Sequence, residues 1–122
     1  MKRLYIIIGI ALLLFASCGQ QHQAKEVIKE FINLHAVNPL AHSSISIAKF
    51  DSTKVLNDSV INLMRTNADT IQRYQKSIKY AEGNIGKKLY VARITYSIND
   101  IEYSDTYYLD ELLTRVVAFK SN

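Results

Sequence analysis

After Lys2 and Arg3 the chain opens on an uncharged, almost wholly apolar run from Leu4 to Phe15. Such a run is long enough for the core of a signal peptide and short for a membrane span. Beyond it the apolar positions become periodic. Ala24, Val27, Ile28, Phe31, Ile32 and His35 recur at three- and four-residue spacing, with Lys25, Glu26, Lys29 and Glu30 on the opposite side. This pattern predicts an amphipathic helix with one buried and one wet face. Asn38-Pro39 is expected to close it, because proline lacks the backbone donor and pushes its predecessor out of helical geometry.

Ser43 to Phe50 reads as a strand, with Ile45 and Ile47 on one face, Ala48 and Phe50 on the other, and a polar turn at Asp51-Ser52-Thr53. A second helix is predicted from about Asp58, capped by Asn57 or Asp58 and carrying Val60, Ile61, Met64, Ala68 and Ile71. We expect it to reach Arg73, although Thr66, Asn67, Asp69 and Thr70 are weak helix formers. Lys76 to Glu82 is read as a further strand, and Gly83-Asn84-Ile85-Gly86 as a hairpin turn.

From Lys88 the period changes to two. Tyr90, Ala92, Ile94, Tyr96 and Ile98 share one face. Asn99-Asp100 suits a two-residue hairpin turn, since both residues tolerate the left-handed backbone. Such a turn pairs Ile98 with Ile101, Tyr96 with Tyr103, Ile94 with Asp105, Ala92 with Tyr107 and Tyr90 with Leu109. Only Asp105 is out of place on an apolar face. A carboxylate without a partner is costly in a core, so a bulge near Ser104 that turns Asp105 outward is the expected remedy. A turn around Asp110-Glu111 then leads to a last strand over Arg115 to Lys120. These elements imply an α+β fold: an N-terminal amphipathic helix and a second helix packed on a curved antiparallel sheet of about four to five strands.

Ala16-Ser17-Cys18, at the end of the apolar run, changes the reading of the N-terminus. With Leu14 and Phe15 before it, the stretch resembles the lipobox of bacterial lipoproteins, although Phe15 stands where leucine, valine or alanine is usual. The resemblance implies that residues 1–17 are a signal peptide, that Cys18 receives a diacylglycerol and becomes the acylated N-terminus, and that 18–23 is a short tether to one domain over 24–122. Gly19 after the cysteine, and no acidic cluster in Gln20-Gln21-His22-Gln23, then imply an outer-membrane lipoprotein facing the periplasm. Several acyl chains, each buried methylene contributing about 0.8 kcal/mol, make such an anchor nearly permanent. Processing also removes two of the 15 basic residues, leaving 13 against 11 acids and a net charge of +2. The lysines are scattered, which argues against nucleic-acid binding. Cys18 is the sole cysteine, so packing rather than disulfides must hold the domain.

Asn38-Pro39, Lys49-Phe50-Asp51-Ser52-Thr53, Asp58-Ser59-Val60-Ile61, Ile78-Lys79-Tyr80, Thr106-Tyr107-Tyr108-Leu109-Asp110 and Val116-Val117-Ala118-Phe119-Lys120 resemble a group of small bacteroidete lipoproteins of undefined function. The layout is also similar to cystatin-like and NTF2-like domains, a likeness of topology alone. Neither resemblance brings an activity with it. His22, His35 and His42 lack metal-ligand spacing, and no phosphate loop or nucleophile elbow is present. We therefore expect no metal, no cofactor and no catalytic residue.

Seven tyrosines remain after the signal peptide, and most fall on strands. Good strand formers filling a core without tryptophan account for them. Alternatively, an aromatic face with Tyr103, Asp105 and Tyr108 at its mouth could take a partner. The preferred expectation is a noncatalytic lipoprotein that binds an envelope protein or peptide through its sheet face or sheet edge. The other is an NTF2-like small-ligand pocket with weak enzymatic activity.

Overall fold

In the computed structural model the backbone is described for residues 2–37, 45–75, 78–80 and 88–122, with side chains from residue 19 onward in those ranges. The elements are α1 (Lys2–His35), β1 (Ser46–Thr53), α2 (Asp58–Ala68), β2 (Leu89–Ile98), β3 (Ile101–Leu109) and β4 (Val116–Ser121). The strands form one antiparallel sheet in the order β1-β2-β3-β4. The fold class is therefore α+β.

Each helix covers one face of this sheet. The α1 stripe of Ala24, Ile28, Phe31 and Ile32 is buried against Ile94, Tyr96, Tyr107, Leu109 and Phe119. On the other face Ile61 and Met64 of α2 pack against Leu89, Val117 and Ala118, with Tyr108 half-buried beside them. A strand buried on both sides needs apolar residues at successive positions. The run Val116-Val117-Ala118-Phe119 supplies them, and all four are buried.

The β2–β3 hairpin has the register that the period-two pattern predicts, from Ile98 opposite Ile101 to Tyr90 opposite Leu109. Its turn residues Asn99 and Asp100 have φ of 52° and 64°, the left-handed pair that matches strand twist. Glycine adopts that conformation without the Cβ penalty. Asp100→Gly is therefore expected to stabilise the domain by about 0.5–1 kcal/mol, read from the shift in the urea midpoint.

The structure corrects several local expectations. No bulge occurs at Ser104: Asp105 stays opposite Ile94, faces the core and has 0% exposure. A bulge lies instead in β1, where Ile47 pairs with Ile94 and Lys49 with Arg93, leaving Ala48 as the extra residue. It restores Phe50 to the face of Ile47, and both side chains pack on the core. A second irregularity sets Tyr108 opposite Ala118 but Leu109 opposite Val116, so that Val117 turns toward α2.

Helix α2 is capped by Asn57, whose side chain accepts from the Val60 amide at 2.9 Å. It ends at Ala68 rather than near Arg73. The Thr66 and Thr70 hydroxyls donate to the carbonyls of Asn62 and Asn67, the local competition that makes these residues poor continuers. Arg73 to Gln75 then pair with the end of α1: the Val37 amide donates to the Arg73 carbonyl at 2.9 Å, and the Gln75 amide to the His35 carbonyl at 2.7 Å. The helix has thus already stopped before Asn38-Pro39, which lies outside the described residues. Within the strand expected over Lys76 to Glu82, residues 78–80 have no strand pairing. The rest of that stretch, and the glycine turn after it, lie outside the described residues.

Helix α1 continues without interruption through position 18, so residues 18–23 are helical. Among the described residues no helix is long and apolar enough to cross a membrane.

Candidate functional site

The densest chemistry lies on the α1 side of the sheet, around Asp105. Strand alternation aims Asp105 and Tyr107 of β3 and Tyr96 of β2 to the same side. The pairing of residues 73–75 with the end of α1 brings Arg73 and Tyr74 over them. Arg73 Nη2 donates to Asp105 Oδ1 at 2.6 Å, and Tyr96 donates to Oδ2 at 2.5 Å. Tyr74 also donates to Oδ2, at 3.0 Å, while its oxygen lies 2.7 Å from the hydroxyls of both Tyr96 and Tyr107. Arg73 Nε donates to the Tyr96 oxygen at 3.2 Å.

Each phenol has one hydrogen to donate. Tyr96 directs its own to the carboxylate, Tyr107 directs its own to the Tyr74 oxygen, and Tyr74 divides its hydrogen between Oδ2 and Tyr96. Every buried polar atom of the cluster thereby has a partner, the condition under which a buried polar network holds one arrangement. Burial, reinforced by the neighbouring phenols and the Asp105 charge, raises the pKa of Tyr74 far above the ordinary value. Burial and then Asp105 raise Tyr96 and Tyr107 likewise. Burial of Arg73 works against its charge, but the Tyr96 hydrogen bond and Asp105 outweigh that and hold its pKa up.

Two of the three expected binding residues lie together and the third, Tyr108, lies apart. Tyr103 and Asp105 share the Arg73 guanidinium, which sits 4.2 Å from the Tyr103 ring centroid and bonds the carboxylate. Tyr108 is on the opposite face, against α2. Asp105 itself is closed off from solvent. Sequence reading missed Arg73, Tyr74, Tyr96 and Tyr107 as its partners. For Tyr96 and Tyr107 a signal existed, because period-two spacing sets both on Asp105's own face.

Depressions lie elsewhere. A groove of about 360 Å³ runs beside α1, lined by Val27, Phe31, Leu34, Tyr80 and Val116 among others. A second depression, about 430 Å³, shares Val27, Glu30 and Leu34 with it along the helix. Leu34 is 64% exposed. The Tyr80 hydroxyl is buried and has no hydrogen-bond partner among the described residues, and burial raises its pKa, so it remains a donor. His35 also lines the groove, but both ring nitrogens are engaged. With hydrogen on Nδ1 it donates to the Phe31 carbonyl at 2.9 Å, and Nε2 accepts from the Lys79 amide at 3.5 Å.

No family model, curated protein or solved structure matches the chain. Geometry alone must therefore speak for the site. Among the described residues no group of three or more His, Cys, Asp or Glu side chains could hold a metal ion. The arrangement separates chemistry from access. Where titratable groups converge they bond one another in the core, and the groove beside α1 mixes apolar Val27, Phe31, Leu34 and Val116 with Glu30, Lys79 and Arg115.

A turn at the end of β3 shows the same self-sufficiency. Asp110 accepts from the Thr114 amide and hydroxyl and from the Arg115 amide. Partial burial works against its charge, but these bonds prevail and hold its pKa below the ordinary value. This turn carboxylate is a structural clasp.

Proposed function

We propose that the protein is a noncatalytic envelope lipoprotein, tethered to the outer membrane by a lipid on Cys18 and facing the periplasm, that binds a peptide or protein segment in the groove beside α1. The observation that carries the binding reading is the groove itself, where exposed Leu34 lies beside Val27, Phe31 and Tyr80. An apolar floor with a few placed polar groups is the usual make-up of a recognition site. The lipid tether rests on the lipobox-like stretch ending at Cys18.

The rival reading, a small-ligand pocket with weak activity at Tyr103, Asp105 and Tyr108, has less support. The space between α1 and the sheet is filled by Phe31, Tyr107 and Phe119, whose rings pack at centroid distances of 5.0 to 5.8 Å. The likeness to cystatin-like and NTF2-like domains, with its curved sheet, and to the bacteroidete lipoprotein group remains part of this proposal. Its support is a helix laid across one face of an antiparallel sheet.

The test places a photoreactive residue at position 79 in the groove and, as a control, at exposed Leu63 on α2. In native membranes position 79 is expected to give one discrete adduct, lost when Leu34→Glu is added. Adducts that are the same from positions 63 and 79, or that survive Leu34→Glu, would sink the groove as the binding site.

A further inference from the structure

Among the described residues the two most exposed large apolar side chains, Val55 at 87% and Leu112 at 80%, lie at the same end of the sheet. Register fixes this. Thr53 at the end of β1 pairs with Leu89 at the start of β2, Tyr90 pairs with Leu109 at the end of β3, and Leu109 pairs with Val116 at the start of β4. The segment after β1 and the turn between β3 and β4 therefore emerge at the same end, with β2 between them.

The middle of α1, around Gln20 and Gln23, is held at that same end. Gln20 Nε2 donates to the Tyr90 hydroxyl at 3.2 Å, and Gln23 Nε2 to the Leu113 carbonyl at 3.3 Å. At about 1.5 Å of rise per residue, Cys18 stands only about 3 Å of helix before Gln20. A lipid on Cys18 would thus bring the bilayer surface to the edge that carries Val55 and Leu112.

The neighbouring charges suit an anionic surface in part. Lys54 follows Thr53 and Lys88 precedes Leu89, the last pair of the β1–β2 register, so both lie at this end, with the Lys88 ammonium 4.7 Å from the Tyr90 ring centroid. Basic side chains close to a membrane are drawn to anionic headgroups. Glu111 beside Leu112 is exposed, so the apolar tips rather than net charge carry the contact. The Asp110 carboxylate in the same turn is already engaged by Thr114 and Arg115.

We infer that this end of the sheet is a second membrane contact, in which Val55 and Leu112 enter the headgroup region while Lys54 and Lys88 meet anionic lipid. The inference rests on the proposed lipidation of Cys18 and adds an orientation to it. A single lipid-modified residue on a flexible chain would let the domain tumble. A helical segment that continues into the domain, with two apolar tips beside it, seats the domain in one pose and directs the opposite end, with the Asn99-Asp100 turn, away from the bilayer.

The test uses the full lipoprotein, extracted in detergent and reconstituted into vesicles of phosphatidylethanolamine and phosphatidylglycerol. Val55→Cys, Leu112→Cys and, as control, Ile101→Cys are each labelled with an environment-sensitive fluorophore. Lipidation would leave the Cys18 thiol unavailable to the label, and intact mass reports that lipidation directly. With lipid present on Cys18, nitroxide lipids should quench the labels at positions 55 and 112 at least about twofold more than the label at position 101. Equal quenching at all three positions on a lipidated protein would overturn the orientation alone. An unmodified Cys18 mass would overturn the tether and the orientation with it.

Discussion

Arg73→Leu is expected to destabilise the domain by about 3–5 kcal/mol, because it strands the Asp105 carboxylate in the core without its cation. That is a large part of the roughly 5–15 kcal/mol a domain of this size holds in total, so the variant should sit close to unfolding at ambient temperature. Asp105 has 0% exposure and Arg73 18%, which makes the loss a buried-charge effect rather than the fraction of a kcal/mol typical of surface pairs. Asp105→Leu alone should cost a comparable amount, leaving the guanidinium and the Tyr74 and Tyr96 hydroxyls short of an acceptor. Urea denaturation of both single variants and of the double variant checks this. The double variant is expected to be clearly more stable than the sum of the two losses implies, since charge and countercharge leave together. Strict additivity would show that Arg73 and Asp105 do not act as a pair.

The second large effect concerns alkaline pH. Tyr74, Tyr96 and Tyr107 have folded-state pKa values above 10.0, the ordinary value that applies in the unfolded chain. Their contribution to stability is therefore intact below pH 10 and declines as pH rises above it, when the unfolded chain releases protons that the folded one retains. Each such group lowers stability by up to about 1.4 kcal/mol per pH unit in that window, or about 4 for the three together. The domain is thus expected to unfold cooperatively within a few pH units above 10. Phenolate absorbance of these three tyrosines should appear together with the loss of circular dichroism. A gradual titration of all tyrosines around pH 10 with the dichroism unchanged would contradict the buried network.

The regular parts of the fold were legible in the sequence for identifiable reasons. Helix α1 showed its buried stripe because Ala24, Ile28, Phe31 and Ile32 keep strict spacing. The hairpin register followed from a period of two and a turn that only left-handed-tolerant residues could make. Asp105 was misplaced for an instructive reason. Parity put it in the core, and the cost of an isolated buried carboxylate argued it out again. What overrides that cost is Arg73, which comes from an irregular segment 32 residues earlier, and no local periodicity reports such a partner. The β1 bulge was hidden for a similar reason, because one extra residue at Ala48 shifts Phe50 to the other face. That both faces of the sheet would be covered was written in the unbroken apolar run of β4 and in Leu89. The groove was not legible, since it depends on how residues 78–80 lie against α1 and not on either stretch alone.

The Ala48 bulge also bears on what this sheet does not do. Strand β1 lies at the edge, with β2 as its neighbour in the sheet, and a long, flat edge strand is a template on which another chain can add itself. The bulge breaks the even spacing of hydrogen-bonding groups, and Lys49 and Asp51 follow it as exposed charges. A newcomer strand would have to match an interrupted ladder and approach those charges. The irregularity that restores Phe50 to the core thus also works as a guard against fibrillar growth and unwanted self-association.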